Sequence, residues 1–271
     1  MTAKAVLAIV LTHNAPEGLD RCLAAIDAQT RPPDRVLVID NASREPVQAS
    51  SRGVHVDVLR SEVNTGPAGG HALGLAMFLE SNAAMAWVMD DDCIPQPTCL
   101  AHLVARYEST DGDAPVFPLW TDAATGASAF VPAWCGFLIS RSLVALLGLP
   151  RADFVWWAED TEYLQWRVYG AGIEPANEPC AVVEHRRVRI TPTKPAWKIY
   201  YEVRNTIFFR LYLQRKPFRR FKRMSRSLSK LLAQILARED HKAVKLVAYW
   251  RGVFDGLSGR LGLRVPPGGA P

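Results

Sequence analysis

Carboxylates crowd together at two places in this chain, and each placement suggests a chemistry. The run Trp87-Val88-Met89-Asp90-Asp91-Asp92 sets three aspartates at the end of an apolar segment, where their mutual repulsion is costly unless a cation or water relieves it. Side chains alternate along an extended chain, so Asp90 and Asp92 point the same way. Two carboxylates on one side, with positions left for phosphate oxygens, are what Mg²⁺ or Mn²⁺ needs to bridge a protein to a diphosphate. The competing reading is a solvated acidic turn, and the position after an apolar strand tells against it. The second place is Trp156-Trp157-Ala158-Glu159-Asp160-Thr161-Glu162-Tyr163. Bulky aromatics can partly desolvate a carboxylate there and raise its basicity, as a general base requires, although acidic residues also favour an ordinary helix N-terminus.

Two further motifs complete the set. Glu184-His185-Arg186-Arg187 ends the apolar segment Ala181 to Val183, and imidazole would give the carboxylate pair a third ligand acceptable to Mn²⁺. Asn64-Thr65-Gly66-Pro67-Ala68-Gly69-Gly70 precedes a helix. Its glycines permit close backbone approach, and the helix N-terminus offers N–H groups to an anion. It is neither a Walker loop nor a GxGxxG fingerprint.

These residues need a frame. Ala5 to Leu11, Val36 to Ile39, Val54 to Leu59 and Ala86 to Met89 are apolar runs of strand length, suited to a parallel sheet covered on both faces. A helix is expected from Pro16 to Gln29, stopped by Pro32-Pro33, and another from Gly70 to Leu79. Strands alternating with helices predict a doubly wound, mostly parallel, Rossmann-like α/β sheet whose ligands lie at the carboxyl ends of its strands. Thr12-His13-Asn14, Asp40-Asn41 and Asp90-Asp91-Asp92 occupy those ends.

Composition sets outer bounds. With 271 residues, 49% hydrophobic and 22% charged, the chain is a globular protein of one large domain with an appendage. Five cysteines without a CxxC pair point away from a zinc knuckle or complete disulfide framework and toward a reducing cytoplasm. No apolar run approaches the roughly 20 residues of a spanning helix. The net charge of +5 is concentrated between Lys194 and Arg223, where basic residues alternate with aromatics such as Tyr200, Tyr201, Phe208, Phe209, Phe218 and Phe221. Such a segment suits an anionic lipid surface; no nucleic-acid recognition motif accompanies it, and no nucleic acid is expected as partner.

The ordered series THN, VLVIDNAS, NTGPAGG, WVMDDD, WWAEDTEY and VVEHRR resembles the family 2 glycosyltransferases of the GT-A fold, over roughly Ala5 to His185. With Tyr200-Tyr201-Glu202-Val203-Arg204-Asn205 added, it is similar to bacterial galactofuranosyl- and rhamnosyltransferases of cell-wall and polysaccharide assembly. The resemblance implies a catalytic domain over 1–195, with a nucleotide-sugar half to about 92 and an acceptor half to 195, then a basic helical extension over 196–265 and a flexible tail over 266–271. It implies a UDP- or dTDP-sugar donor contacted by Thr12, Asn14, Asn64, Gly66, Gly69 and Gly70, with Asp40 on the base and Asp91 at the donor sugar or ribose. Asp90, Asp92 and His185 would hold Mn²⁺ or Mg²⁺. Trp134, Trp156, Trp157 and Glu159 would face a glycan or polyprenyl-linked acceptor. Asp160 would be the base of an inverting displacement, with Glu159 the alternative. Such an enzyme would be cytoplasmic, peripheral at the inner face of the plasma membrane. The competing classes are a nucleotidyltransferase acting on a sugar phosphate, which usually carries a glycine-rich basic loop after its first strand where this chain has THNAPEG, and a non-enzymatic module for anionic surfaces.

Overall fold

The computed structural model describes residues 4–49, 51, 53–110, 114–186, 193–213 and 217–268, with backbone alone for 217–220. The chain divides into two compact units. One comprises residues 1–64, 70–150 and 163–189, the other 65–69, 151–162 and 190–271.

The first unit is built on one sheet. Its elements are β1 (Val6–Thr12), α1 (Pro16–Asp27), β2 (Arg35–Asp40), β3 (Val56–Arg60), α2 (Gly66–Glu80), β4 (Met85–Asp90), β5 (Cys93–Pro95), α3 (Cys99–Ser109), β6 (Val116–Asp122), β7 (Ser128–Ala129), β8 (Cys135–Ser140), α4 (Arg141–Leu147), α5 (Val168–Gly170) and β9 (Ala176–His185). The strand order is β3-β2-β1-β4-β8-β6-β9-β5, with β7 beside β6. β3, β2, β1 and β4 run parallel; α1 links β1 to β2 and α2 links β3 to β4 in the crossover a parallel sheet requires, while the described residues between β2 and β3 form no helix. Beyond β4 the sheet is mixed: β8 is antiparallel to β4, and β6 and β9 are parallel to one another.

β1 is buried at all seven positions, which explains its unbroken apolar run. Alternation still sorts its side chains. Val6, Ala8 and Val10 join α1 and α3 through Leu19, Cys22, Leu23, Leu100 and Leu103. Leu7, Ile9 and Leu11 join α2 and α4 through Leu75, Phe78, Leu143 and Val144. Each such side chain taken fully from water contributes about 1.5–3 kcal/mol, so the two covered faces fix the register of the strands and hence the positions of their ends.

The expected glycine-rich loop is the first turn of α2, which begins at Gly66 rather than Gly70. Pro67 supplies a φ suited to a helix start. Small residues let the helix lie close to β1: a Cβ on Gly74 would fall 2.6 Å from Ile9 Cγ2.

The second unit contains α6 (Ala196–Phe208), a wide helical turn over Phe209–Leu213, α7 (Pro217–Arg238) and α8 (Lys242–Leu257). α6 and α8 approach closely because Gly252 and Gly256 face the backbone of Tyr200 and Arg204, leaving no room for a Cβ. Part of the basic, aromatic segment expected to meet an anionic surface packs inside this unit, while Lys222 and Arg223 are exposed. Arg204, Tyr200 and Tyr201 are fully buried, and Phe208 and Phe209 nearly so, since their rings supply the core that joins these helices. Phe221 is exposed; Arg215 and Lys216 lie outside the described residues, as do the side chains of Phe218, Arg219 and Arg220. Among the described residues no helix is long and apolar enough to cross a membrane.

Candidate active site

β4 ends at Asp90, and the chain turns through Asp91 and Asp92 before β5. Two backbone bonds pin the turn: Asp90 N–H donates to Trp134 O at 2.9 Å and Asp91 N–H to Leu11 O at 3.0 Å. The three carboxylates meet different neighbours. Asp90 Oδ1 lies 2.9 Å from His71 Nε2. Asp91 Oδ2 accepts from Thr12 Oγ1 at 2.5 Å. Asp92 Oδ2 sits 3.3 Å from His185 Nε2, at the end of β9.

The strand registry explains how a residue 93 positions away reaches Asp92: β5 pairs antiparallel with β9, setting Cys93 opposite His185. Burial raises the Asp90 carboxyl above its usual range despite the bond from His71. Asp91 is pushed up to about 7 by burial, with Asp90 and Asp92 adding to the shift against the bond from Thr12. A cluster that resists full ionisation is one a cation would relieve. Two half-exposed carboxylates and an imidazole make a donor set that suits Mn²⁺ and tolerates Mg²⁺. The Nδ1 atoms of His71 and His185 are buried without a hydrogen-bond partner.

His71 gave no signal in the sequence beyond following the NTGPAGG run. It is fully buried and stacks on Trp134 with ring centroids 4.2 Å apart. Trp134 is 4% exposed and also stacks on Tyr163. Its ring thus serves the wall behind Asp90, with little surface to offer an acceptor.

The ends of β1 and β2 carry the remaining candidates of this unit. Asn14 has a left-handed backbone with φ of 54°, receives Arg44 N–H on Oδ1 and gives its own N–H to Ser43 Oγ. Asn41 Nδ2 donates to Asn64 Oδ1 at 3.1 Å. Asp40 is fully buried and accepts from Ser43 N–H at 2.8 Å and Arg60 Nη1 at 2.7 Å. Burial opposes its ionisation, but the bonds from Ser43 and Val47 and the charge of Arg60 prevail and hold the carboxyl below its usual range. As placed, Asp40 shapes its own loop. That loop and Asn14 line a cavity of about 340 Å³ together with Pro16, Leu19 and Arg44. Gly70 lies against Leu11: a Cβ there would fall 2.3 Å from Leu11 Cδ1.

The second unit holds the Trp156–Thr161 segment. Val155, Trp157 and Ala158 all have positive φ, at 64°, 77° and 66°, a costly conformation for residues with side chains. Two buried side chains of α6 over-determine it. Arg204 donates to the carbonyls of Asp153, Phe154 and Gly262, and Asn205 Nδ2 to those of Phe154, Trp156 and Trp157, at 2.7–3.0 Å. The Tyr-Tyr-Glu-Val-Arg-Asn motif is thus a clamp on this loop. Gly66 belongs to the same unit: its φ is 70°, and a Cβ would lie 2.0 Å from Val155 O. Gly69 is equally tight against Thr65.

Within the unit, Trp156, Trp157, Glu159, Asp160, Thr206 and Arg210 line a cavity of about 630 Å³. Asp160 is part-exposed, and its Oδ1 accepts from Thr161 N–H at 2.5 Å. Glu159 is 6% exposed, so of the two Asp160 is better placed to meet a substrate hydroxyl.

The half-parallel, half-mixed sheet has the GT-A fold, as solved structures of similar fold show. The chain superposes on GalNAc-T7 with UDP, GalNAc and Mn²⁺ with a TM-score of 0.61 at 16% identity, covering 95% of this chain and 56% of that one. S. aureus TarS 1–349 in complex with UDP gives a TM-score of 0.57 at 12% identity, covering 94% and 83%. Residues 7–122 match the Glycosyl transferase family 2 model. The chain is similar to galactofuranosyltransferase GlfT1 of Mycobacterium tuberculosis, 39% identical over 93 residues that cover 33% of this chain and 31% of the relative. GlfT1 of Mycolicibacterium smegmatis is 35% identical over 116 residues, covering 42% and 38%. The matched stretches thus span about a third of these relatives' length.

Proposed function

We propose that this chain is an inverting, metal-dependent glycosyltransferase that moves galactofuranose or rhamnose from a UDP- or dTDP-sugar to a hydroxyl of a glycan or polyprenyl-linked acceptor. The observation that carries the reading is the pairing of His185 with Asp92, at 3.3 Å, in the turn that follows Asp90 at the end of β4. A divalent cation held by these three would offset the charge that develops on the departing diphosphate. The chain's own residues do the rest. Thr12 and His71 orient Asp91 and Asp90 by hydrogen bonds, and the cavity beside Asn14 is suited to the nucleotide end of the donor. Asp160 accepts the proton of the acceptor hydroxyl as its oxygen bonds to the anomeric carbon and the bond to diphosphate breaks. Attack opposite the leaving group inverts the anomeric centre.

The similarity to GlfT1 favours galactofuranose and a cell-wall acceptor, and a polyprenyl-linked acceptor would bring the enzyme to the inner face of the plasma membrane. Incubation with UDP-galactofuranose, dTDP-rhamnose, UDP-glucose or GDP-mannose, Mn²⁺ and acceptor should release the nucleotide diphosphate for one of the first two donors, with an NMR spectrum of inverted product. A product of retained configuration, or pyrophosphate release from an NTP and a sugar phosphate, would overturn the proposal.

A further inference from the structure

α8 is mainly apolar, with four charged residues, Lys242, Lys245, Arg251 and Asp255, among its sixteen. A helix of that kind normally turns its apolar side inward. Here the inward arc is the more polar one: it carries Lys245, paired with Glu239, and Asp255, which accepts from Tyr200 OH at 2.7 Å, beside the two glycines that meet α6. The outward arc holds Val247, Trp250, Phe254 and Leu257, exposed by 60, 59, 58 and 52%. Their spacing of three or four residues aligns them in one stripe.

The charge around this stripe is of one sign. Arg251 lies on the same outward arc, and exposed Arg260 and Arg264 follow beyond the helix end, with Leu263 also exposed among them. Arg260 sits 5.1 Å from the centroid of the Phe254 ring. Among the described residues of α8 no carboxylate faces outward, since Asp255 is turned in. Trp, Phe and Leu beside Arg are what an interfacial helix offers a bilayer, the rings entering the headgroup boundary and the guanidinium groups meeting phosphates. A second copy of the chain would instead bring these cations against their own counterparts. We propose that the outward face of α8 and the residues following it dock on an anionic lipid surface. The proposal stands apart from the catalytic reading, because its test needs no turnover.

Co-sedimentation with vesicles of phosphatidylglycerol and phosphatidylcholine should show binding that pure phosphatidylcholine does not support and that high salt weakens. Replacing Trp250 and Phe254 by Ser should reduce partitioning about tenfold or more, with far-ultraviolet circular dichroism unchanged. The triple variant Arg251→Gln, Arg260→Gln, Arg264→Gln should bind weakly and lose its salt dependence. Replacing Arg215, Lys216, Arg219 and Arg220 by Gln should matter less than either. Vesicle binding undiminished in the Trp250→Ser, Phe254→Ser variant overturns the proposal. So does a concentration-dependent dimer in gel filtration that this variant abolishes, without vesicle binding by the parent.

Discussion

Two acidic sites in this molecule are positioned by opposite means. Asp90 to Asp92 stand where a buried strand ends, so the sheet sets their places and their own backbone is ordinary. Glu159 and Asp160 follow three residues with positive φ, held by the buried Arg204 and Asn205. The first site draws on the regular pairing of many residues, the second on a few hydrogen bonds that offset local strain. Damage to the two should therefore differ in kind. At the strand end, chemistry is lost while the scaffold survives. At the strained loop, stability and chemistry are lost together.

The largest effect is expected at the strand end. Asp90→Ala or Asp92→Ala should abolish transfer and Mn²⁺-dependent nucleotide binding, each removing a hard oxygen ligand, while thermal unfolding stays close to the parent's. Calorimetric titration of UDP with and without Mn²⁺ checks this, and full activity in EDTA would remove the metal from the mechanism. Next, Asp160→Asn should lower turnover by about 10²–10⁴-fold with donor binding nearly unchanged. If Glu159→Gln is the inactive variant instead, the buried carboxylate is the base.

A smaller loss sharpens the contrast. Asn205→Ala removes the donor to three carbonyls of the strained loop, and should cost about 1–3 kcal/mol of stability in denaturant titration together with a lower kcat. Unchanged stability would show that the strained loop does not depend on this clamp.

The smallest effect concerns Asp91 in metal-free protein. Its folded pKa of about 7 lies above the unfolded value near 3.8, so the folded state binds more protons between these values. The stability this contributes is present below the unfolded value and is lost as pH rises through about 7. In EDTA the melting temperature should fall from pH 5 to pH 8, and Asp91→Asn should flatten that decline. A profile as steep in Asp91→Asn as in the parent would assign the titration elsewhere.

Much of the first unit was legible in the sequence. Apolar runs of strand length, separated by helical spacing, determined β1, β2 and β4, and a carboxylate following such a run has nowhere to go but the strand end. Position in the sheet did the same for Thr12 and Asn14, since strand ends are local features of a chain. Contacts between distant segments were a different matter. That His71 would meet Asp90 and that Arg204 would vanish into the interior to hold the Trp156 loop depend on packing; the resemblance implies His185 beside Asp92, but only the pairing of β5 with β9 says how it gets there. The basic segment after Lys194 read as surface because charge predicts exposure on average, yet Arg204 has carbonyls to satisfy it and no need of water. α8 shows the limit most plainly: its charged residues fall on both arcs, Lys245 and Asp255 inward and Arg251 outward, so polarity does not say which face turns inward. Gly252 and Gly256 decide it, because only the face without side chains lets α6 approach, and Trp250 and Phe254 are left outside as a result.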